Sequence, residues 1–204
     1  QGISLKAPGS GCRDKQNLAY KAAALFLEKT GCRGGVSIEI LKQIPIGAGL
    51  GGGSSDAASV LVGMNRLFHA GLSTDDLMVI AGRIGSDCPF FILGEPYLMG
   101  GRGEIPIRKA VLEERFYLIV VPPLEISTAL VYSHLKCPLT QGHKPFTISD
   151  ISLEKENEPE QLLVNDLESP VFGICPEVMS IKEELLDAGA LGVLMSGSGS
   201  SVFG

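Results

Sequence analysis

Between positions 17 and 29, Leu18, Ala22, Leu25 and Phe26 recur at helical spacing, predicting a helix opened by Asn17 and closed at Gly31. After a Gly34-Gly35 turn, residues 36–40 alternate apolar and polar, as a half-buried strand does. A second helix is predicted through Ala57-Ala58 to about Phe68. A third opens at Ser73-Thr74-Asp75-Asp76 and carries Leu77, Ile80, Ala81 and Ile84 on one face. Pro89 is expected to stop helical structure and extend Cys88, leaving Asp87 at a helix-to-strand corner. A hairpin with a glycine turn follows at 97–107, then a continuous apolar strand at 116–121 closed by Pro122-Pro123. Ser127 caps a short helix reaching Leu135, whereas residues 137–159 are polar, acidic and without pattern, as in a surface excursion. Pro176 is placed as the first residue of a helix ending at Ala188, ahead of Gly189. An apolar strand at 191–195, a Gly/Ser loop at 196–201 and Val202-Phe203 end the chain.

The interruption in this pattern is the stretch at 45–58, Pro-Ile-Gly-Ala-Gly-Leu-Gly-Gly-Gly-Ser-Ser-Asp-Ala-Ala. Its glycines (Gly47, Gly49, Gly51, Gly52, Gly53) leave the backbone free to expose successive N–H groups, and no side chain blocks a ligand there. Ser54-Ser55-Asp56 is expected to cap the helix that follows, whose positive dipole end then faces the loop. A flexible linker does not run straight into a capped apolar helix. The stretch therefore reads as a phosphate-binding loop. Gly47-x-Gly49-x-x-Gly52 matches the dinucleotide fingerprint, but that motif needs a βαβ unit and here a helix follows a helix. A P-loop needs Lys before its Ser or Thr, and Gly53 stands in that place.

Composition narrows the picture less. The 204 residues suit one large or two small domains, 45 % are hydrophobic, and the net charge is −6. That balance argues against a general nucleic-acid or membrane-surface binder, so an anionic ligand must be held by local donors. Five scattered cysteines without a C-x-x-C pair read as free thiols of a reducing compartment, and three dispersed histidines match no metal spacing. The sequence holds no membrane-length apolar run and no signal peptide, and opens on Gln1 and stops in an apolar strand. The expectation is that sequence is missing on both sides, and that the 204-residue chain alone folds poorly or is inactive. For single residues two readings stand side by side. Asp87 is a turn cap or a functional carboxylate, Tyr132 a core residue or a stacking surface. Arg102 reads better as an exposed turn residue than as a phosphate contact.

The pattern Pro-x-Gly-x-Gly-Leu-Gly-Gly-Gly-Ser-Ser resembles the second motif of the GHMP kinases, the superfamily of galactokinase, homoserine kinase and mevalonate kinase. Residues 84–91 (Ile-Gly-Ser-Asp-Cys-Pro-Phe-Phe), Gly101-Arg102-Gly103-Glu104, Ser127-Thr128-Ala129, Asn165-Asp166-Leu167-Glu168 and Met195-Ser196-Gly197-Ser198-Gly199 also resemble family segments and fall in the family's order. The intermediate segments narrow the resemblance to the branch that acts on 4-diphosphocytidyl-2-C-methyl-D-erythritol.

The resemblance implies an α+β, two-domain fold: a ribosomal protein S5 domain 2-like half at 1–110 and a ferredoxin-like half at 111–204. It implies ATP-dependent phosphorylation of the substrate's 2-hydroxyl in non-mevalonate isoprenoid precursor synthesis. Pro45, Gly47, Ala48, Gly49, Leu50, Gly51, Gly52, Gly53, Ser54 and Ser55 would wrap the ATP phosphates, with Ser54 or Ser55 near Mg²⁺. Asp87 aligns with the catalytic aspartate, which decides its two readings in favour of function. Tyr132 aligns with an aromatic residue stacking on cytosine, and Gly197, Ser198 and Gly199 close the far side of the phosphate and substrate site. The implied partners are a small molecule and no nucleic acid or membrane, for a monomer or homodimer in the bacterial cytoplasm or a plant plastid stroma. Residues 1–17 contain nothing like the family's first motif, which carries a lysine, and Lys6, Lys15 and Lys21 stand outside any such pattern. The alternatives are another GHMP small-molecule kinase, of homoserine or mevalonate type, or a non-catalytic nucleotide-binding fragment.

Overall fold

The computed structural model describes residues 2–8, 14–111, 114–135 and 163–204, so the acidic stretch at 137–159 lies outside the described residues. Two compact units emerge, Gln1–Ile46 with Gly51–Leu112, and Gly47–Leu50 with Glu113–Gly204. The division therefore passes twice through the glycine-rich stretch.

The first unit is built on helix packing. Helix α1 (Leu18–Thr30) starts where the Asn17 side chain accepts the Ala19 N–H at 2.9 Å and ends at Gly31, whose φ of 65° is left-handed. Its inner face, Ala19, Ala22, Ala23 and Phe26, is fully buried. Three alanines on that face let α2 (Gly52–Leu67) approach closely, and Ala57, Leu61 and Met64 of α2 join Phe26 in the core. Complete burial of a side chain such as Phe26 is worth about 1.5–3 kcal/mol relative to exposure. Strand β1 (Ile3–Lys6) pairs in parallel with β2 (Val36–Glu39), Ile3 opposite Val36. The hydrophobic pattern did not predict β1, because four alternating residues are too few to separate a strand from irregular chain.

Helix α3 (Thr74–Gly82) opens with a reciprocal capping box. The Ser73 hydroxyl oxygen accepts the Asp76 N–H at 3.1 Å, and the Asp76 carboxylate accepts the Ser73 N–H at 3.1 Å and its hydroxyl at 2.7 Å. The Ser73 hydroxyl, followed by its N–H, holds the Asp76 carboxyl below its usual value of 3.8. A depressed carboxylate stabilises the fold above its unfolded-state pKa, and the benefit is lost as pH falls through the folded value. Asp76→Asn is accordingly expected to lower the melting temperature at neutral pH, with the gap to the parent closing in acid below pH 3.8. Thermal melts across pH check this, and a gap independent of pH would remove the carboxylate from the explanation.

Pro89 does not lead into a strand. It occupies the first turn of a new short helix, α4 (Cys88–Leu93), where its missing N–H costs nothing. The hairpin forms as expected, from β3 (Tyr97–Gly100) and β4 (Ile105–Lys109), with Gly101 at φ 67° in its turn.

In the second unit β7 (Val202–Phe203) lies between β5 (Ile119–Val120) and β6 (Leu194–Met195), all antiparallel. The apolar run at 116–121 forms a strand only where β7 gives it partners. Leu118 still exchanges backbone hydrogen bonds with Gly204 at 2.9 and 3.0 Å, whereas Phe116 and Tyr117 stand exposed. Helix α5 (Thr128–His134) is capped by Ser127, α6 (Glu168–Ile174) follows Leu167, and α7 (Pro176–Asp187) begins on its proline. Val131, Val171, Val178, Met195 and Val202 form the core beneath these helices. The chain is α+β, and among the described residues no helix is long and apolar enough to cross a membrane.

Candidate active site

The loop's chemistry begins in its backbone. Gly47, Gly49 and Gly51 have φ of 69°, 76° and 67°, while Ala48 and Leu50 between them keep negative φ. Left-handed glycines alternating with residues of negative φ suit a loop whose successive N–H groups can serve an anion. Helix α2 begins directly afterwards at Gly52, with Gly51 as its N-cap and no side-chain capping bond. The first intrahelical backbone bond of this turn runs from Ser55 N–H to the Gly51 carbonyl at 2.9 Å. Helical geometry thus leaves the N–H groups of Gly52, Gly53 and Ser54 without intrahelical acceptors, at the positive end of a 16-residue helix. The expected cap by Ser54-Ser55-Asp56 is not made, because the helix starts two residues earlier and takes those side chains into its first turn. A glycine cap keeps the N-terminus open to a ligand, which a serine or aspartate cap would close.

Lys42 was not singled out by the sequence pattern, since it belongs to no motif and is separated from α2 by nine residues of loop. The fold brings its ammonium 2.5 Å from the Asp56 carboxylate, with Lys42 only 14 % exposed. A Cβ added to Gly52 would stand 3.1 Å from Lys42 Nζ, so the charge lies against the start of α2. The signal that could have found it is a lone cation three residues before Pro45 in an otherwise uncharged loop.

Asp87 immediately precedes α4, with φ −83° and ψ −16°, and makes no capping hydrogen bond to that helix. The turn-cap reading therefore has no bond to rest on. The next residue, Cys88, is fully buried. Phe91 of α4 lies against Gly51, where an added Cβ would stand 2.8 Å from its Cζ, so α4 packs beside the start of α2, with the exposed Asp87 at its own N-terminus. Burial, opposed by the Ser54 side chain and reinforced by the Asp87 charge, pushes the Cys88 thiol up, so it remains protonated and unreactive near neutrality. Gly103, in the hairpin turn, faces the Asp87 carboxylate, and a Cβ there would lie 3.7 Å from Oδ1. Arg102 beside it points to solvent, 84 % exposed, with its guanidinium 3.8 Å from Glu104.

Within the second unit Ala48 and Gly49 pack on the Gly/Ser loop at 196–201. The Ser196 hydroxyl donates to the Gly49 carbonyl at 2.9 Å, and Ser201 N–H donates to the Ala48 carbonyl at 3.2 Å. Two glycine-rich segments far apart in sequence are thus stitched together. Ser198 and Thr128 hydroxyls share a hydrogen bond of 2.8 Å, joining the loop to the start of α5. On the same helix Val131 is buried and Tyr132 is 58 % exposed, so the core reading of Tyr132 fails and an open ring face remains. Pro45 and Gly47 are exposed, Leu50, Ser54 and Ser55 half-buried.

The family model described as GHMP kinases N terminal domain matches residues 17–95, and the one described as GHMP kinases C terminal matches residues 151–204. A curated relative from Geobacter sp. (strain M21), named 4-diphosphocytidyl-2-C-methyl-D-erythritol kinase, is 48 % identical over 191 residues, covering 92 % of this chain and 66 % of its own. A relative of the same name from Pelotomaculum thermopropionicum is 41 % identical over 207 aligned positions, covering 100 % of this chain and 72 % of its own. A crystal structure of 4-(cytidine 5'-diphospho)-2C-methyl-D-erythritol kinase superposes with a TM-score of 0.78 at 37 % identity, over 100 % of this chain and 72 % of that one. A homoserine kinase from Cytophaga hutchinsonii superposes with a TM-score of 0.72 at 20 % identity, covering 100 % of this chain and 71 % of that one, and shows the fold alone. The chain spans about two thirds of the length of the curated relatives it matches, 66 % for the first. With both family models matched in order and relatives above 40 % identity along most of its length, the chain belongs to the GHMP kinase family.

Proposed function

We propose that the protein carrying this chain is an ATP-dependent kinase that phosphorylates the 2-hydroxyl of 4-diphosphocytidyl-2-C-methyl-D-erythritol, a step of non-mevalonate isoprenoid precursor synthesis. The observation that carries the reading is the run of alternate left-handed glycines feeding an uncapped helix N-terminus, beside which α4, the helix that Asp87 opens, packs through Phe91. Phosphoryl transfer asks little covalent chemistry of a protein. It needs positioning, charge neutralisation and a group to orient the attacking hydroxyl.

In this reading the N–H groups from Gly47 to Ser54, with the Lys42 charge, receive the ATP phosphates. Asp87 accepts or orients the proton of the substrate hydroxyl. Gly197, Ser198 and Gly199 close on the phosphate and substrate, and Tyr132 offers its exposed ring to the cytosine. Mg²⁺, when bound, neutralises charge on the phosphates. Ser54 and Ser55 supply hydroxyl oxygens, the hard donors that ion prefers. An ion carried largely by nucleotide phosphates needs no protein cage. The relatives' names favour the diphosphocytidyl substrate over homoserine, and the protein is proposed to act in the cytoplasm as a monomer or homodimer.

The test is turnover by the full-length gene product in a coupled ADP assay with Mg²⁺. 4-Diphosphocytidyl-2-C-methyl-D-erythritol is expected to be the preferred acceptor over homoserine and mevalonate. Equal or better turnover of either competitor would overturn the assignment.

A further inference from the structure

Asn165-Asp166-Leu167-Glu168 is a segment for which neither the phosphate loop nor the acceptor aspartate requires a role, yet its side chains carry an unusual load of backbone hydrogen bonds. The Asn165 amide nitrogen donates to two carbonyls, that of Met195 at 2.9 Å and that of Gly197 at 2.8 Å. Its amide oxygen accepts the Leu167 N–H at 3.0 Å, so the side chain is fixed at both ends. Glu168 takes the Met195 N–H on Oε1 at 2.9 Å and pairs through Oε2 with Lys182 of α7 at 2.6 Å. The ion pair is largely sheltered, with Glu168 14 % and Lys182 25 % exposed. Met195 thus has its N–H and its carbonyl both held by this one segment. The bonds converge on the entry to the loop at 196–201, where Gly197 has φ 56° and Gly199 φ 81°. That loop has little regular structure of its own to define its shape: β6 and β7 contribute two residues each.

We propose that Asn165 and Glu168 are positioning residues for the Gly/Ser loop. They hold residues 195–199 in the one arrangement that presents Gly197, Ser198 and Gly199 to the acceptor substrate. An amide is required at 165 because the position faces two carbonyls and needs two donors, which neither a carboxylate nor a hydroxyl supplies. At 168 the required feature is an acceptor for Met195 N–H. The Lys182 pair orients that carboxylate by occupying its second oxygen. The substrate arm of this proposal rests on the reading of residues 197–199 given above; the loop arm does not.

Asn165→Ala and Glu168→Leu in the full-length protein are expected to speed amide exchange of the peptide spanning 195–199 by roughly tenfold, with other peptides unchanged. The same variants should lower kcat/KM for the acceptor by about 10²-fold, as small displacements of positioning groups do, while the KM for ATP stays within about twofold. Glu168→Gln keeps an acceptor and should retain most of the loop protection and turnover, a rescue that a merely structural charge would not show. Unchanged exchange at 195–199 in both disruptive variants would overturn the proposal. So would faster exchange with acceptor kcat/KM near the parent value, or a lowered melting point as the sole effect. If the parent protein fails to turn over the diphosphocytidyl substrate, the functional assignment falls by itself, and the exchange arm still decides whether this segment holds the loop.

Discussion

Asp87→Asn is expected to lower kcat by about 10²–10⁴-fold, the range for loss of a general base, with ATP affinity barely changed and the melting temperature nearly unmoved. The expectation follows from where the residue is held. Asp87 precedes a helix whose first turn contains Pro89, and the Cys88 beside it is fully buried in the core of its unit, so the carboxylate sits on a fixed corner. It makes no capping bond that the substitution could break. An amide preserves the shape and one acceptor oxygen but takes no proton and carries no negative charge. If the loss is confined to the transition state, kcat falls and ATP binding, which the proposed reading assigns to loop N–H groups and Lys42, does not. Steady-state kinetics, nucleotide titration and a thermal melt on one preparation separate the cases. A near-normal kcat with a clearly lower melting point would return Asp87 to the role of a turn residue.

Gly49→Ala is expected to be far more damaging than Gly47→Ala, although both glycines are left-handed, at φ 76° and 69°. A Cβ on Gly47 would meet nothing within 4 Å, so that variant bears only the left-handed penalty, about 1–2 kcal/mol. A Cβ on Gly49 would stand 2.1 Å from the Ser196 carbonyl oxygen and 3.1 Å from that of Gly199. Both are backbone atoms that rotation of a side chain cannot clear. Overpacking of this kind adds roughly 1–3 kcal/mol, so the total is on the order of 2–5 kcal/mol. The same displacement would break the Ser196–Gly49 and Ser201–Ala48 bonds that join the two glycine-rich segments. Turnover should fall by about 10²-fold or more for Gly49→Ala, the cost of misplaced positioning groups, and by much less for Gly47→Ala. Melting temperatures and kcat of the two variants provide the comparison. Equal effects would show that left-handed strain, and not the close approach to Ser196, sets the requirement for glycine.

These two residues also mark how far the sequence could be read. Signals confined to one turn of chain were legible: the Asn17 and Gly31 ends of α1, the Ser73 capping box, the glycine turn of the hairpin, and Pro176 opening α7. Each is a local competition for backbone hydrogen bonds, settled within a few residues whatever the rest of the molecule does. The order of motifs, through its resemblance to the GHMP kinases, implied the family and its α+β class. Local reasoning failed where the outcome depended on distant partners. Pro89 was compatible with a stop or a start, and packing of α4 on α2 through Cys88 decided for a start. The apolar run at 116–121 had the composition of a long strand, but its pairing reaches only as far as β7 extends. Lys42 acquired its place from a carboxylate fourteen positions along the chain, and Asn165 from carbonyls at 195 and 197. Glycine content alone made the loop permissive. Which glycine is indispensable was decided by the backbone of Ser196, 147 residues away, because steric exclusion acts between neighbours in space and leaves no periodicity in sequence.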